Sequence, residues 1–186
     1  MMATRKIAVL VGSLRKESFT RKLAKSMMLV APPTLELEIV NIGELPMYNQ
    51  DIETDNPPAR WTEFRERIGA VDGVLFATPE YNRSLPAVLK NAIDVGSRPY
   101  GHAAWTGKPC AVVSCSPGAL GAFGANHAVR QCLVFLNMPC MQMPEAYIGG
   151  IAGKFDEAGN LNDESLKGFL TQFMECFATW VERHAD

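Results

Sequence analysis

Three short segments of this chain combine hydroxyls, fixed charges, prolines and glycines in ways that suit a phosphorylated, planar ligand. The first reads Gly12-Ser13-Leu14-Arg15-Lys16-Glu17-Ser18-Phe19-Thr20 and leads into a stretch with helical spacing. Gly12 lets the backbone turn sharply. Ser13, Ser18 and Thr20 offer hydroxyls, Arg15 a positive fork, and the helix start a set of unpaired N–H groups. Helix N-termini favour anions, so this loop suits a phosphate. A simple capped helix start, with Ser18 or Thr20 as N-cap and Arg15 in solvent, fits the same residues. There is no GxxxxGK motif ending in Ser or Thr, which argues against a nucleotide hydrolysed with Mg²⁺.

The second segment is Thr78-Pro79-Glu80-Tyr81-Asn82-Arg83-Ser84-Leu85-Pro86. Two prolines stiffen it, and the amides between them can line the edge of a flat heterocycle. A surface turn before a helix explains Pro86 but leaves Glu-Tyr-Asn without a purpose. The third, Ser114 to Gly124 (SCSPGALGAFG), is glycine-rich and precedes another helical stretch. Its GxxGxxG spacing, its place after a late strand and the lack of an acidic residue at the ribose distance exclude a dinucleotide fingerprint. Its glycines are expected to let the backbone approach a flat ligand or a neighbouring subunit.

Other chemistries find little support. His102, His127 and His184 stand apart with no HExxH or Cys/His cluster, and His102 and His184 are expected in solvent. No serine sits in a GxSxG elbow. Cys110, Cys115, Cys132, Cys140 and Cys176 form no CxxC pair. Five scattered thiols point to a reduced, cytoplasmic protein in which all five are buried and structural, with none activated.

The elements that must carry these loops are legible from apolar spacing. Lys6 to Gly12, Leu35 to Val40, Gly73 to Thr78 and Pro109 to Ser114 are short apolar runs rich in β-branched residues, with a weaker one near Cys140 to Met143. Such runs read as strands covered on both faces. Between them, helical spacing aligns Leu23, Met27 and Val30; Trp61, Phe64 and Ile68; Leu85, Leu89 and Ile93; Val129, Leu133 and Leu136; and finally Leu166, Leu170, Phe173 and Phe177. Five strand–helix alternations imply α/β architecture with a parallel sheet between two helical layers. Ligands of such sheets bind beyond the carboxyl ends of the strands, where all three loops emerge. The irregular stretch Gly43 to Pro58 is long enough to be functional or mobile.

The 186 residues suit one domain spanning 1–186, and the formal net charge of -2 gives no electrostatic reason to bind nucleic acid or anionic membranes. No apolar stretch reaches signal-peptide or membrane-spanning length.

Taken together, GSLRKESFTRKLA (Gly12 to Ala24), LPMYNQDIE (Leu45 to Glu53), TPEYNRSLPAVLKNAID (Thr78 to Asp94) and SPGALGAFGA (Ser116 to Ala125) resemble the NADPH-dependent FMN reductase family, which includes chromate and quinone reductases. The resemblance implies a flavodoxin-like, doubly wound five-stranded parallel sheet and bound FMN, with NADPH or NADH as co-substrate. It assigns the FMN phosphate to Ser13, Arg15, Ser18, Phe19 and Thr20, and the isoalloxazine to Pro79, Glu80, Tyr81 and Asn82, mostly through backbone amides. Ser116 and Gly118 would approach the flavin or ribityl chain. Thr20 stands where many relatives carry Asn. The family is usually oligomeric, which implies a homodimer or homotetramer with Tyr48, Asn49 and Gln50 near a neighbour's flavin. The implied activity moves electrons from NAD(P)H through FMN to small acceptors (quinones, free flavin, chromate, azo or nitro compounds) by a ping-pong route. No catalytic side chain is required, because the hydride chemistry is the cofactor's. A flavodoxin-type electron carrier or a flavin-binding regulatory protein is the alternative, although carriers tend to be far more acidic.

Overall fold

A computed structural model describes residues 4–184, and the structural statements below concern those residues. In chain order the elements are β1 (Arg5–Val11), α1 (Phe19–Val30), β2 (Leu35–Val40), α2 (Ala59–Gly69), β3 (Gly73–Thr78), α3 (Ala87–Gly96), β4 (Cys110–Cys115), α4 (Phe123–Phe135), β5 (Ala146–Ile148) and α5 (Glu164–His184). The strands form one parallel sheet in the order β2-β1-β3-β4-β5. This is the doubly wound, flavodoxin-like order, whose winding reverses between β1 and β3.

The apolar runs become central strands because both faces are covered. Ile7, Val9, Val11, Leu75 and Val113 face α1 and α5, where they meet Leu23, Met27, Leu170, Phe173 and Phe177. Ala8, Leu10, Val74, Phe76 and Val112 face α2, α3 and α4 through Trp61, Phe64, Leu89, Val129 and Leu133. Phe173 and Phe177 are fully enclosed, and burying each contributes roughly 1.5–3 kcal/mol. Pro32 and Pro33 end α1, since proline cannot continue a helix.

Two strands differ from the sequence reading. The fourth begins at Cys110, because Pro109 has no N–H for the ladder and offers only its carbonyl to Val74 N at 3.0 Å. The fifth is Ala146–Ile148, not the run near Cys140. Pro139 and Pro144 flank that run, and Cys140 contributes only an isolated bridge to Cys110.

The Gly43–Pro58 stretch is anchored. Buried Asn91 accepts from Tyr48 N at 2.8 Å and donates to the carbonyls of Leu45 and Pro46, both at 3.2 Å. Trp61 Nε1 also donates to Pro46 O, at 2.9 Å. Arg65 clamps Glu53 with two hydrogen bonds of 2.9 and 2.7 Å.

Candidate functional site

The sheet order sends the first loop out of β1 and the second out of β3, its neighbour. They touch directly. A Cβ on Gly12 would stand 3.3 Å from Pro79, and Gly12 N donates to Ala77 O at 2.8 Å. The third loop, out of β4, joins them through the start of α4. Glu80 Oε2 accepts from Ala125 N at 3.0 Å, and a Cβ on Gly124 would lie 2.9 Å from both Arg83 O and that carboxylate oxygen. Gly124 is therefore required for the close approach of α4 to the second loop. The anchored stretch reaches the same place, with Gly43 against the side chain of Leu14.

The first loop is rich in unused donors. Among the described residues, no backbone amide from Ser13 to Ser18 donates a hydrogen bond within the chain, and Phe19 and Thr20 add the open first turn of α1. Ser13 is buried, yet its hydroxyl has no partner among the described residues, and Arg15 is exposed and forms no ion pair with them. Ser18 is the N-cap of α1, its Oγ accepting from Arg21 N at 3.1 Å. Capping and anion binding coexist here, because the cap occupies one amide of a larger set. These donors fit the phosphate of an FMN.

Two residues that the resemblance places at that phosphate turn their side chains elsewhere. The Thr20 hydroxyl lies 3.5 Å from Cys115 Sγ in the core. The Phe19 ring stacks on Phe155 at 6.4 Å, with Lys22 over it. What each offers the loop is its backbone N–H.

The second loop is a tight two-residue hairpin. Tyr81 and Ser84 exchange backbone hydrogen bonds of 3.1 Å around Asn82 and Arg83, which have φ of 51° and 67°. Two successive left-handed residues define the type I′ turn, in which Asn is at home and Arg is strained. Glu80 uses its carboxylate as the cap of α4, with Arg83 at 3.4 Å, so only its backbone remains for a ligand. Tyr81 is exposed, as are Asn82 and Arg83.

The third loop departs from expectation in what its glycines do. Gly121, with φ of 58°, lies so close to Tyr147 and Ile148 that a Cβ would stand 2.4 Å from the Tyr147 carbonyl carbon. Gly121 and Gly124 thus serve contacts within the chain. Gly118 is the open one, exposed and with only Ser116 Oγ near it at 3.9 Å. Ser116 Oγ donates to Gly118 O at 3.0 Å.

Several features escaped the sequence reading. Only Cys110 and Cys115 are buried; Cys132, Cys140 and Cys176 are half-buried. Burial pushes the Cys115 thiol up to about 11, while Cys140 is pulled below the ordinary thiol range by a hydrogen bond from Cys110 and the charge of Arg130. His127 is not isolated: its Nε2 lies 3.0 Å from Tyr147 Oη, with the Phe123 ring tilted against it at 4.3 Å. His184 packs on Trp180 and bonds its carbonyl at 2.8 Å rather than facing open solvent. Behind the first loop, Lys16, Arg21, Lys22, Lys25 and Lys167 line a groove of about 530 Å³. The helical spacing of Arg21, Lys22 and Lys25 was its trace in sequence.

No helix among the described residues is long and apolar enough to cross a membrane. The NADPH-dependent FMN reductase family profile matches residues 5–153, which include all three loops. A quinone reductase of Pseudomonas putida is 64% identical over 176 residues, covering 95% of this chain and 94% of the relative. A 2-hydroxy-1,4-benzoquinone reductase of a Burkholderia species is 43% identical over 176 residues, covering 95% of this chain and 96% of its own. Among solved structures, the flavoenzyme NAD(P)H:(acceptor) oxidoreductase FerB of Paracoccus denitrificans superposes with a TM-score of 0.91 at 42% identity, over 98% of this chain and 100% of that one. The loops, the sheet order that gathers them and these relatives agree that the chain is an oxidoreductase belonging to the NADPH-dependent FMN reductase family.

Proposed function

We propose that the three loops hold one FMN and that the chain passes electrons from NAD(P)H to quinones by a ping-pong route. The observation that carries this reading is the first loop, a run of undonated amides beside the unpartnered hydroxyl of buried Ser13 and the free guanidinium of Arg15. FMN, when bound, supplies the two-electron chemistry. The chain's residues hold and orient it. The amides of residues 13–20, Ser18 and Arg15 neutralise the phosphate. The backbone of Pro79 to Asn82 edges the ring, and the hairpin keeps that backbone rigid. Ser116 and Gly118 close the third side.

Quinones are the favoured acceptors because two of the relatives above are named for quinone reduction. Free flavin, chromate and azo or nitro compounds are secondary acceptors in this reading. One crevice serves donor and acceptor in turn, so the acceptor enters only after the oxidised nicotinamide has left. A single domain carries the reaction, supported by one sheet with a core on each face. The cytoplasm is the proposed compartment, in keeping with five unpaired thiols.

Two measurements test the reading. Mass analysis of the cofactor released from purified protein should return FMN; FAD, or no flavin after reconstitution, would refute it. Double-reciprocal plots of NAD(P)H against quinone should give parallel lines, whereas intersecting lines would mean a ternary complex.

A further inference from the structure

With the redox chemistry assigned to FMN, the thiols have no part in turnover, yet two of them are paired in an unusual setting. Cys110 opens β4 at the end of the sheet opposite the three loops, and Cys140 lies beside it on the segment leading to β5. A parallel bridge fixes their register. Cys110 N donates to Pro139 O at 3.0 Å, and Met141 N donates to Cys110 O at 2.8 Å. Backbones so paired run roughly 4.8 Å apart and send register partners to one face. That spacing falls within the Cα separation of about 4.4–6.8 Å that a disulfide requires.

Arg130 of α4 completes the setting. Its Nη1 stands 3.3 Å from Cys140 Sγ and donates to Met141 O at 3.0 Å, while Nε donates to Asn126 Oδ1 at 2.9 Å. Asn126 is buried and donates in turn to Ser114 Oγ at 3.2 Å, so the guanidinium is held in place. A fixed positive charge beside a thiol favours its thiolate, the reactive form. Cys140 is half-buried and open to small oxidants; Cys110 is fully enclosed, with Cys140 packed against the cluster it belongs to. Burial pushes the Cys110 thiol up, so its attack is the second and slower step, with its proton passing to the departing oxygen.

We propose that Cys140 and Cys110 are a peroxide-sensitive dithiol that closes to an intramolecular disulfide. In the first step the Cys140 thiolate attacks one oxygen of hydrogen peroxide. An S–O bond forms, the O–O bond breaks, and the departing hydroxide takes a proton and leaves as water. In the second step the Cys110 sulfur attacks the sulfur of the Cys140 sulfenic acid. The S–S bond forms, the S–O bond breaks, and the leaving hydroxide departs as water with the thiol proton. Two electrons pass from the dithiol to the peroxide, and a dithiol reductant restores both thiols.

The test uses the purified holoenzyme, treated with hydrogen peroxide in slight excess, alkylated without reduction, digested and analysed by mass spectrometry. A peptide cross-linking Cys110 to Cys140 should appear and vanish with dithiothreitol. Replacing Cys140 by Ser should abolish it, and Arg130→Gln should slow its formation by about three- to tenfold through loss of the thiolate's charge partner. The wild-type digest decides the matter even if a variant fails to fold. Both thiols still alkylatable after peroxide would overturn the proposal. So would Cys140 converted to sulfinic acid with Cys110 free, or a cross-link to any other cysteine.

Discussion

Arg15 stands in the first loop with no described residue engaging its charge, so its removal disturbs nothing else in the fold. A charge-assisted hydrogen bond carries about 1.5–3 kcal/mol. Arg15→Ala should therefore weaken FMN binding by roughly ten- to a hundredfold at an unchanged melting temperature of the apoprotein, as titration of apoprotein with FMN would measure. Cys115 presents the opposite case. It borders the third loop, yet burial holds its thiol near 11, and its only side-chain partner is Thr20. Cys115→Ala should keep turnover with quinone within about twofold, since a protonated, enclosed thiol is a poor nucleophile. Loss of turnover with FMN still bound would give the thiol a part in the chemistry. At this scale the sequence disclosed residue types but not their directions. Ser13, Arg15 and Ser18 were singled out because a phosphate needs donors near a helix start. That Thr20, Phe19 and Glu80 turn toward Cys115, Phe155 and Ala125 depended on partners far along the chain, which no local pattern contains.

Among the elements, α3 does more than cover the sheet. Its Asn91 is the only buried polar side chain of that helix, and it makes three hydrogen bonds with the Gly43–Pro58 stretch, accepting one and donating two. Asn91→Ala should destabilise the protein by about 2–3 kcal/mol, because the backbone groups of Tyr48, Leu45 and Pro46 lose a buried partner. Denaturant titration would measure it, and a loss below half a unit on that scale would mean water replaces the amide. Limited proteolysis should then cut within residues 43–58, which wild type should resist. The strands were legible where burial is continuous: the largely apolar runs of β1, β3 and β4 suit central positions. The fifth strand was misplaced because its three residues carry too little pattern, while in Cys140 to Met143, a proline-flanked connection, only Cys140 and Met141 pack and Met143 is exposed. The I′ hairpin at Asn82-Arg83 was hidden because Arg rarely adopts a left-handed φ.

Across the whole molecule, two of the exposed large apolar side chains are adjacent at the end of α4. Phe135 is 84% and Val134 80% exposed at the end of α4, next to a groove between α3 and α4 lined by Ile93, Cys132 and Leu136. Such a surface would suit a contact between copies, as in the homodimer or homotetramer that the family resemblance implies. Light scattering after size exclusion should return a multiple of the chain mass, and Phe135→Glu should shift it toward the monomer. A monomeric wild type at micromolar concentration would end that reading.

The sheet order also sets when a cofactor can be captured during synthesis. Gly12 and the first loop leave the ribosome early, but the wall they lean on is Pro79, and the residue that pins the neighbouring stretch is Asn91. At ~5–20 residues per second the first loop waits roughly 3–15 s for β3 and α3 to be made. Until then β1 can pair only with β2, its other neighbour. A nascent chain short of α3 therefore cannot retain FMN, and one that loads it afterwards gains stability by mass action, as RT ln(1 + [FMN]/Kd). Cells short of riboflavin would then hold this protein at lower abundance without any change in its synthesis.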